Sequence, residues 1–233
     1  MYRLLLFLLA AAAPTVDEIV ARSIAAMGGA DQFATVQSIK VHGRLRFGQE
    51  ADTPFVVIAQ RPAKFRMEFD AGPDHIVQAY DGVTGWQSVS GQHDQAPKAL
   101  SGENLAHLAD QAANAIGGPL LDLVERKNHA TYAGREAVDG VDCYKLRVTL
   151  ATGDSIVVFV DPASFLTVME ELPVQINGEP ATIQQLVGNY RRFGPTLIAC
   201  LYVTRQKGGA DSQRMEIDSV EMNPQIADTI FKR

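Results

Sequence analysis

Side chains able to carry covalent or metal chemistry are few in this chain and far apart. The five histidines are His42, His75, His93, His107 and His129, and no two of them are closer than 14 residues. A local pair that would present two imidazoles to one zinc ion is therefore missing. No Gly-x-Ser-x-Gly elbow, phosphate-cradling loop or Gly-x-Gly-x-x-Gly turn occurs. Glu170-Glu171 is the one Glu-Glu pair. On a strand, neighbouring side chains point to opposite faces, so these two cannot act on one substrate atom. They are expected at a solvated strand end. Cys143 and Cys200 have no histidine nearby in sequence and are expected to be packing residues. No catalytic residue, metal ligand or cofactor site is expected, and the chain is not read as an enzyme.

The elements that would position any site are mostly strands. Thr15-Val16-Asp17-Glu18 is a capping box, after which Val16, Ile19, Val20, Ile24 and Met27 recur at helical spacing. Gly28-Gly29 ends that helix, and a short turn through Phe33 and Val36 leads into the sheet. From Ser38 to Phe47 the pattern alternates. Ile39, Val41, Leu45 and Phe47 share one face; Lys40, His42, Arg44 and Arg46 share the other. Pro54 to Val89 reads as four short strands, with Arg61-Pro62 between the first two and Asp81-Gly82 between the last two. Phe65, Met67 and Phe69 are predicted inward, and Lys64, Arg66 and Glu68 outward.

Residues 91–124 interrupt the β pattern. Ser101 is a cap candidate for a helix whose stripe is Leu105, Leu108, Ala109, Ala112, Ala113 and Ile116. Gly117-Gly118 stops it, and Pro119 suits the first turn of a second short helix. Strands resume beyond residue 135. Near Asp218-Ser219 the apolar parity switches, which predicts a bulge. Asn223-Pro224 is expected to open a final short helix with Ile226, Ile230 and Phe231. The fold class is mainly β with α: one curved antiparallel sheet, an incomplete barrel of about ten strands, with helices covering its concave side. Phe55–Ile58 and Ile156–Val160 are apolar on both faces. Patterning leaves open whether the concave face lines a cavity or is filled by its own core.

Composition excludes several classes. With 46% hydrophobic and 21% charged residues the chain is globular rather than disordered. A net charge of −6 and no basic run give no footprint for nucleic acid. Arg3 followed by the unbroken apolar run Leu4–Ala13 fits the core of a signal peptide and is too short to span a bilayer. The expected organisation is a signal peptide over 1–13 and a single domain over 14–233. No cysteine lies near that segment, so no lipid anchor is expected. An oxidising compartment would permit a Cys143–Cys200 disulfide, and two unpaired core thiols are an equal alternative.

The order Arg61-Pro62, Phe65, Met67-Glu68-Phe69, Asp81-Gly82 and Trp86, with the closing Pro224 to Arg233, resembles the periplasmic lipoprotein-sorting carriers of the LolA/LolB-like superfamily. That superfamily includes the N-terminal domains of RseB-type regulators. The resemblance implies an incomplete barrel under a helical lid, with acyl chains held between them. It implies a lid bond for Arg61 and a place at the cavity mouth for Phe65. The implied ligand-binding set is Arg61, Phe65, Met67, Phe69, Trp86, Leu105, Leu108 and Ile116. The helix from Ser101 to Ile116 would be the lid, packing near Phe65 and Trp86. The implied function is a soluble, monomeric, non-catalytic periplasmic carrier of lipoprotein or lipid, working with inner- and outer-membrane lipoprotein machinery. Two other readings are an RseB-like envelope-stress sensor that binds a membrane regulator, and, least favoured, a lipid-processing enzyme.

Overall fold

The computed structural model describes residues 14–126, 129–150, 153–176 and 178–233. The expected signal peptide lies outside them. Helix α1 (Val16–Ala26) opens on the capping box: Glu18 N–H donates to Thr15 Oγ1 at 3.2 Å, and Thr15 N–H donates to Glu18 Oε2 at 2.8 Å. The turn through Phe33 is itself a short helix, α2 (Ala30–Ala34), with Phe33 buried. Six strands follow: β1 (Ser38–Phe47), β2 (Thr53–Gln60), β3 (Lys64–Ala71), β4 (Asp74–Tyr80), β5 (Gly85–Gly91) and β6 (Gln95–Ala99). The four strands read from residues 54–89 are β2 to β5. Strand β6 is exposed throughout, and its Pro97 hides it from a periodicity reading.

Two helices then cross the sheet, α3 (Gly102–Asn114) and α4 (Gly118–Arg126). Ser101 holds the N-cap position of α3, but its side chain makes no capping hydrogen bond. The chain returns to strands with β7 (His129–Val138), β8 (Val141–Thr149), β9 (Ser155–Val160), β10 (Thr167–Ile176) and β11 (Glu179–Gly188). A small hairpin, β12 (Arg191–Phe193) and β13 (Thr196–Ile198), precedes β14 (Leu201–Gln206) and β15 (Asp211–Met222). The last element is a single 3-10 turn, Asp228–Phe231, which Asn223-Pro224 leads into but does not begin.

Thirteen of these strands form one antiparallel sheet in the order β6-β5-β4-β3-β2-β1-β15-β14-β11-β10-β9-β8-β7. It does not close, since β6 and β7 are both edges. The expected count of about ten strands was short because β6 and β7 were not read as strands and the short β12 and β13 were merged with their neighbours β11 and β14. Beside β1 the predicted bulge is present: Gly43 pairs with Ile217 and His42 with Ser219, leaving Asp218 as the extra residue. The Arg191 guanidinium donates to the carbonyls of Ile217 and Asp218 and so holds the bulge open. Gly43 must lack a side chain there, because a Cβ would lie 2.2 Å from the Glu216 carbonyl oxygen and 2.5 Å from the Phe55 ring.

The pairing registers sort side chains into two faces. Met222, Ile39, Ala59, Phe65, Tyr80 and Gly85 form one cross-strand row on the helical side. The main core gathers there, uniting Ile19 and Ile24 of α1, Leu108 and Ala112 of α3 and Leu120 and Leu121 of α4 with the inward residues of the sheet. The outer face carries two smaller clusters. One is Val77, Ala79 and Trp86; the other is Val138, Cys143, Phe159 and Met169. Cys143 belongs to the outer cluster and Cys200 to the main core, and both are free thiols. The permitted disulfide is therefore not formed.

Candidate functional site: a cavity under the helices

Between the middle of the sheet and the helices lies a cavity of about 490 Å³. That volume is within the roughly 300–1,000 Å³ usual for small-molecule sites. Its floor comes from β1, β2, β3 and from β10, β11, β14 and β15. Its roof is the α3–α4 junction, from Gln111 to Leu120, with Met27 at the end of α1. Four of the six methionines line it: Met27, Met67, Met215 and Met222. Methionine has three rotatable bonds and a polarisable sulfur, so such a wall adapts to the shape of an apolar guest.

The eight expected site residues fall into groups. Phe65, Met67 and Ile116 line the cavity. Phe69 shares the inward face but sits beyond the cavity, its ring 5.9 Å from that of Phe47. Leu105 and Leu108 press on Gly85 of β5, where a Cβ would stand 2.9 Å from Leu105 Cδ1 and 3.1 Å from Leu108 Cδ2. Glycine at this point lets α3 lie directly on the strands. Leu108 also borders a second, polar pocket with Gln78, Gln87, His107 and Gln111. Arg61 joins Pro62 through a cis peptide, and its Nε donates to the Val36 carbonyl at 3.0 Å. Its backbone N–H donates to the Gln37 carbonyl at 2.9 Å. These bonds tie the β2–β3 turn to the segment after α2.

Trp86 is a correction. It pairs with Ala79, and Ala79 with Arg66, on the outer face. There it is only 8% exposed, covered by the C-terminal 3-10 turn, and its indole N–H donates to the Phe231 carbonyl at 2.9 Å. The Arg66 guanidinium stacks 5.6 Å from the Trp86 ring and donates to the Ile230 carbonyl at 2.8 Å. Lys64, Arg66 and Glu68 do point outward, as the alternation requires.

The glutamate pair is a second correction. Its members do face opposite ways, yet neither is at a solvated strand end. Glu171 is 6% exposed on the outer face, where it accepts from Lys207 Nζ at 2.8 Å and Gln184 Nε2 at 2.9 Å. Burial works against its charge, but the hydrogen bond and charge of Lys207, with Gln184 and Lys145, hold its carboxyl below the usual range. Glu170 opens onto the cavity. It stands opposite Gln185, which stands opposite Thr204, which stands opposite Gln213, so a polar row crosses the cavity floor. Desolvation pushes the Glu170 carboxyl up to about 7. Tyr190 and Tyr202 also line the cavity, and burial with the nearby Glu170 raises both phenols above their ordinary value. The Tyr190 hydroxyl donates to the Thr167 carbonyl at 2.8 Å.

Sequence reasoning missed Glu170, Tyr190 and Tyr202. The available signal was Glu170 sharing strand parity with Leu172, which packs on the main core, so that an acid stands beside an apolar residue of the inward face. Among the described residues no three His, Cys, Asp or Glu side chains converge as a metal site would require. Among them, too, no helix is long and apolar enough to cross a membrane.

No protein-family model matches the chain, and no curated protein matches it. Solved structures do. A DUF1329 family protein of Desulfovibrio piger aligns with a TM-score of 0.60 at 12% identity, covering 94% of this chain and 98% of the other. A LolA superfamily protein of Nitrosomonas europaea aligns with a TM-score of 0.59 at 15% identity, covering 95% and 99%. A "putative outer membrane lipoprotein-sorting protein domain" of Vibrio parahaemolyticus gives 0.57 at 12%, covering 92% and 95%. The chain thus has the LolA-like fold, an open antiparallel sheet with helices on one face. At these identities the likeness defines the fold and nothing finer.

Proposed function

We propose that this protein is a non-catalytic periplasmic carrier or binding protein that holds the alkyl chain of a lipid or lipoprotein beneath α3 and α4. The observation that carries this reading is the methionine-lined cavity of about 490 Å³ between the sheet and the α3–α4 junction. Each methylene removed from water contributes about 0.8 kcal/mol, so a twelve-carbon chain gains roughly 10 kcal/mol on entry. A carrier needs that apolar volume and a roof that can yield, and it needs no chemistry. The LolA-like fold and the apolar leader support the same reading, as does the resemblance of the Arg61-Pro62 to Trp86 segment to the lipoprotein-sorting carriers.

The test is titration of the purified mature chain with N-phenyl-1-naphthylamine, a neutral apolar dye, followed by displacement with dodecanol. Saturable dye binding at one site, reversed by dodecanol, is the expected result. Absence of saturable binding, with no lipid retained in native mass spectra of protein purified from membranes, would remove the carrier reading.

A further inference from the structure

We propose that the cavity selects amphiphiles carrying a protonated amine at the head of the alkyl chain, and that Glu170 is the group that pairs with it. This inference rests on the carrier reading above and adds the chemical class of the guest.

The argument begins with what faces the cavity. Among the described lining residues Glu170 is the one carboxylate, and there is no lysine, arginine or histidine. The remaining titratable side chains are Tyr190 and Tyr202, and both stay neutral well beyond physiological pH. Around Glu170 the facing residues are Val158 of β9, Gln185 of β11 and Tyr202 and Thr204 of β14, none of them cationic. Glu170 makes no hydrogen bond or ion pair within the described residues; desolvation is the only influence on its proton. By contrast its neighbour Glu171, on the other face, is fully engaged by Lys207 and Gln184. One member of the pair is thus satisfied by the protein, and the other is left for something that enters.

An isolated carboxylate in an apolar space costs free energy unless a cation or donor joins it. An alkylammonium supplies three N–H donors and a positive charge. The rings of Tyr190 and Tyr202 add faces that attract such a cation. A fatty-acid carboxylate or a phosphate meets the opposite field. It finds no cation, and two like charges at one site force one group to remain protonated. A neutral alcohol gains the apolar burial alone. The predicted order of affinity is therefore amine, alcohol, carboxylate.

The experiment displaces N-phenyl-1-naphthylamine with dodecylamine, dodecanol and dodecanoate, each below its micelle threshold, at pH 8 and physiological ionic strength. Dodecylamine should bind about tenfold or more tightly than dodecanol, the effect of one charge-assisted hydrogen bond. Dodecanoate should bind most weakly. Glu170→Gln keeps the shape and removes the charge. In that variant the amine preference should fall to within about threefold of unity, and dodecanoate should improve. The wild type at pH 5 is an independent arm, because Glu170 is then protonated and the amine preference should shrink without any substitution. An amine no better than the alcohol at pH 8, or a preference unchanged in Glu170→Gln, overturns the proposal. If dodecanol displaces the dye while the amine gains nothing, only this inference falls. If none of the three displaces it, the carrier reading falls with it.

Discussion

Replacing Glu170 by Gln should stabilise the protein at pH 8 relative to pH 5, and the size of that gain follows from the cavity. The folded-state carboxyl titrates at about 7, against 4.5 for the free side chain. Between those values the folded state holds a proton that the unfolded chain has released. Stability therefore falls as pH rises through this window. Below about pH 4.5 the group costs nothing, and above about pH 7 the full penalty applies. Each tenfold difference in proton affinity between the folded and unfolded chain is worth about 1.4 kcal/mol, so the penalty is about 3 kcal/mol. This is a ceiling, because Glu170 is half-buried and faces a cavity that water can enter, which softens the desolvation. The neutral amide of Gln carries no such slope. Urea unfolding of both proteins at half-unit steps from pH 4.5 to 8 isolates the effect, since every other titrating group is common to both. The stability difference should grow by about 1–3 kcal/mol in favour of the variant between pH 5 and pH 8. A difference that is flat with pH would mean that Glu170 is as well solvated folded as unfolded, and the description of it as an unpartnered carboxyl in an apolar wall would be wrong.

Three further predictions concern the roof and the outer face. Leu108→Asp should abolish dye binding while cooperative unfolding persists; if the whole domain unfolds, α3 is structural core rather than a roof that can yield. Gly85→Val should drive Leu105 and Leu108 off the sheet, lower stability by about 1–3 kcal/mol by thermal melt, and weaken dye binding. Trp86→Phe removes the indole bond to the Phe231 carbonyl and should cost about 1 kcal/mol. Dye affinity should not change in that variant, and a large loss would return Trp86 to the cavity.

Much of the sheet was legible because alternation leaves little freedom. In β1 and β3 charged and apolar residues take strict turns, so the faces of Phe65 and Arg66 follow once one side is buried. The bulge at Asp218 showed as a parity switch for the same reason. Trp86 was misplaced because β5 offers no such contrast. Gly85 and Gln87 share the inward parity, and a large aromatic looks like core whichever side is covered. What covers its side is the turn around Phe231, contributed from 145 residues away, which no local pattern announces. Glu170 was misread for a related reason. Next to Glu171 it looks like half of a polar strand end, and only the burial of Glu171 on the outer face and the cavity over Glu170 on the inner one show where the two sit. Strands β6 and β7 escaped because mostly exposed edge strands are held by their neighbours' backbones rather than by their own side chains, and the short β12 and β13 read as continuations of β11 and β14.

The path of the chain from β6 to β7 has a mechanical consequence. Those strands are the opposite rims of a sheet thirteen strands wide, and residues 100–128, which carry α3 and α4, join them. Laid flat, twelve strand spacings would separate the rims by about 58 Å. The helices have 13 and 9 residues, which rise only about 33 Å together. They could bridge a flat sheet only end to end, in line, with every joining residue fully stretched, and instead they pack against each other. The connector thus acts as the string of a bow. It keeps the rims drawn inward, and a roof moored at both rims cannot swing aside like a door hinged on one. Widening of the cavity for a bulky guest would then draw on slack at the Gly117-Gly118 joint, where both glycines hold positive φ, or on the bend of the sheet.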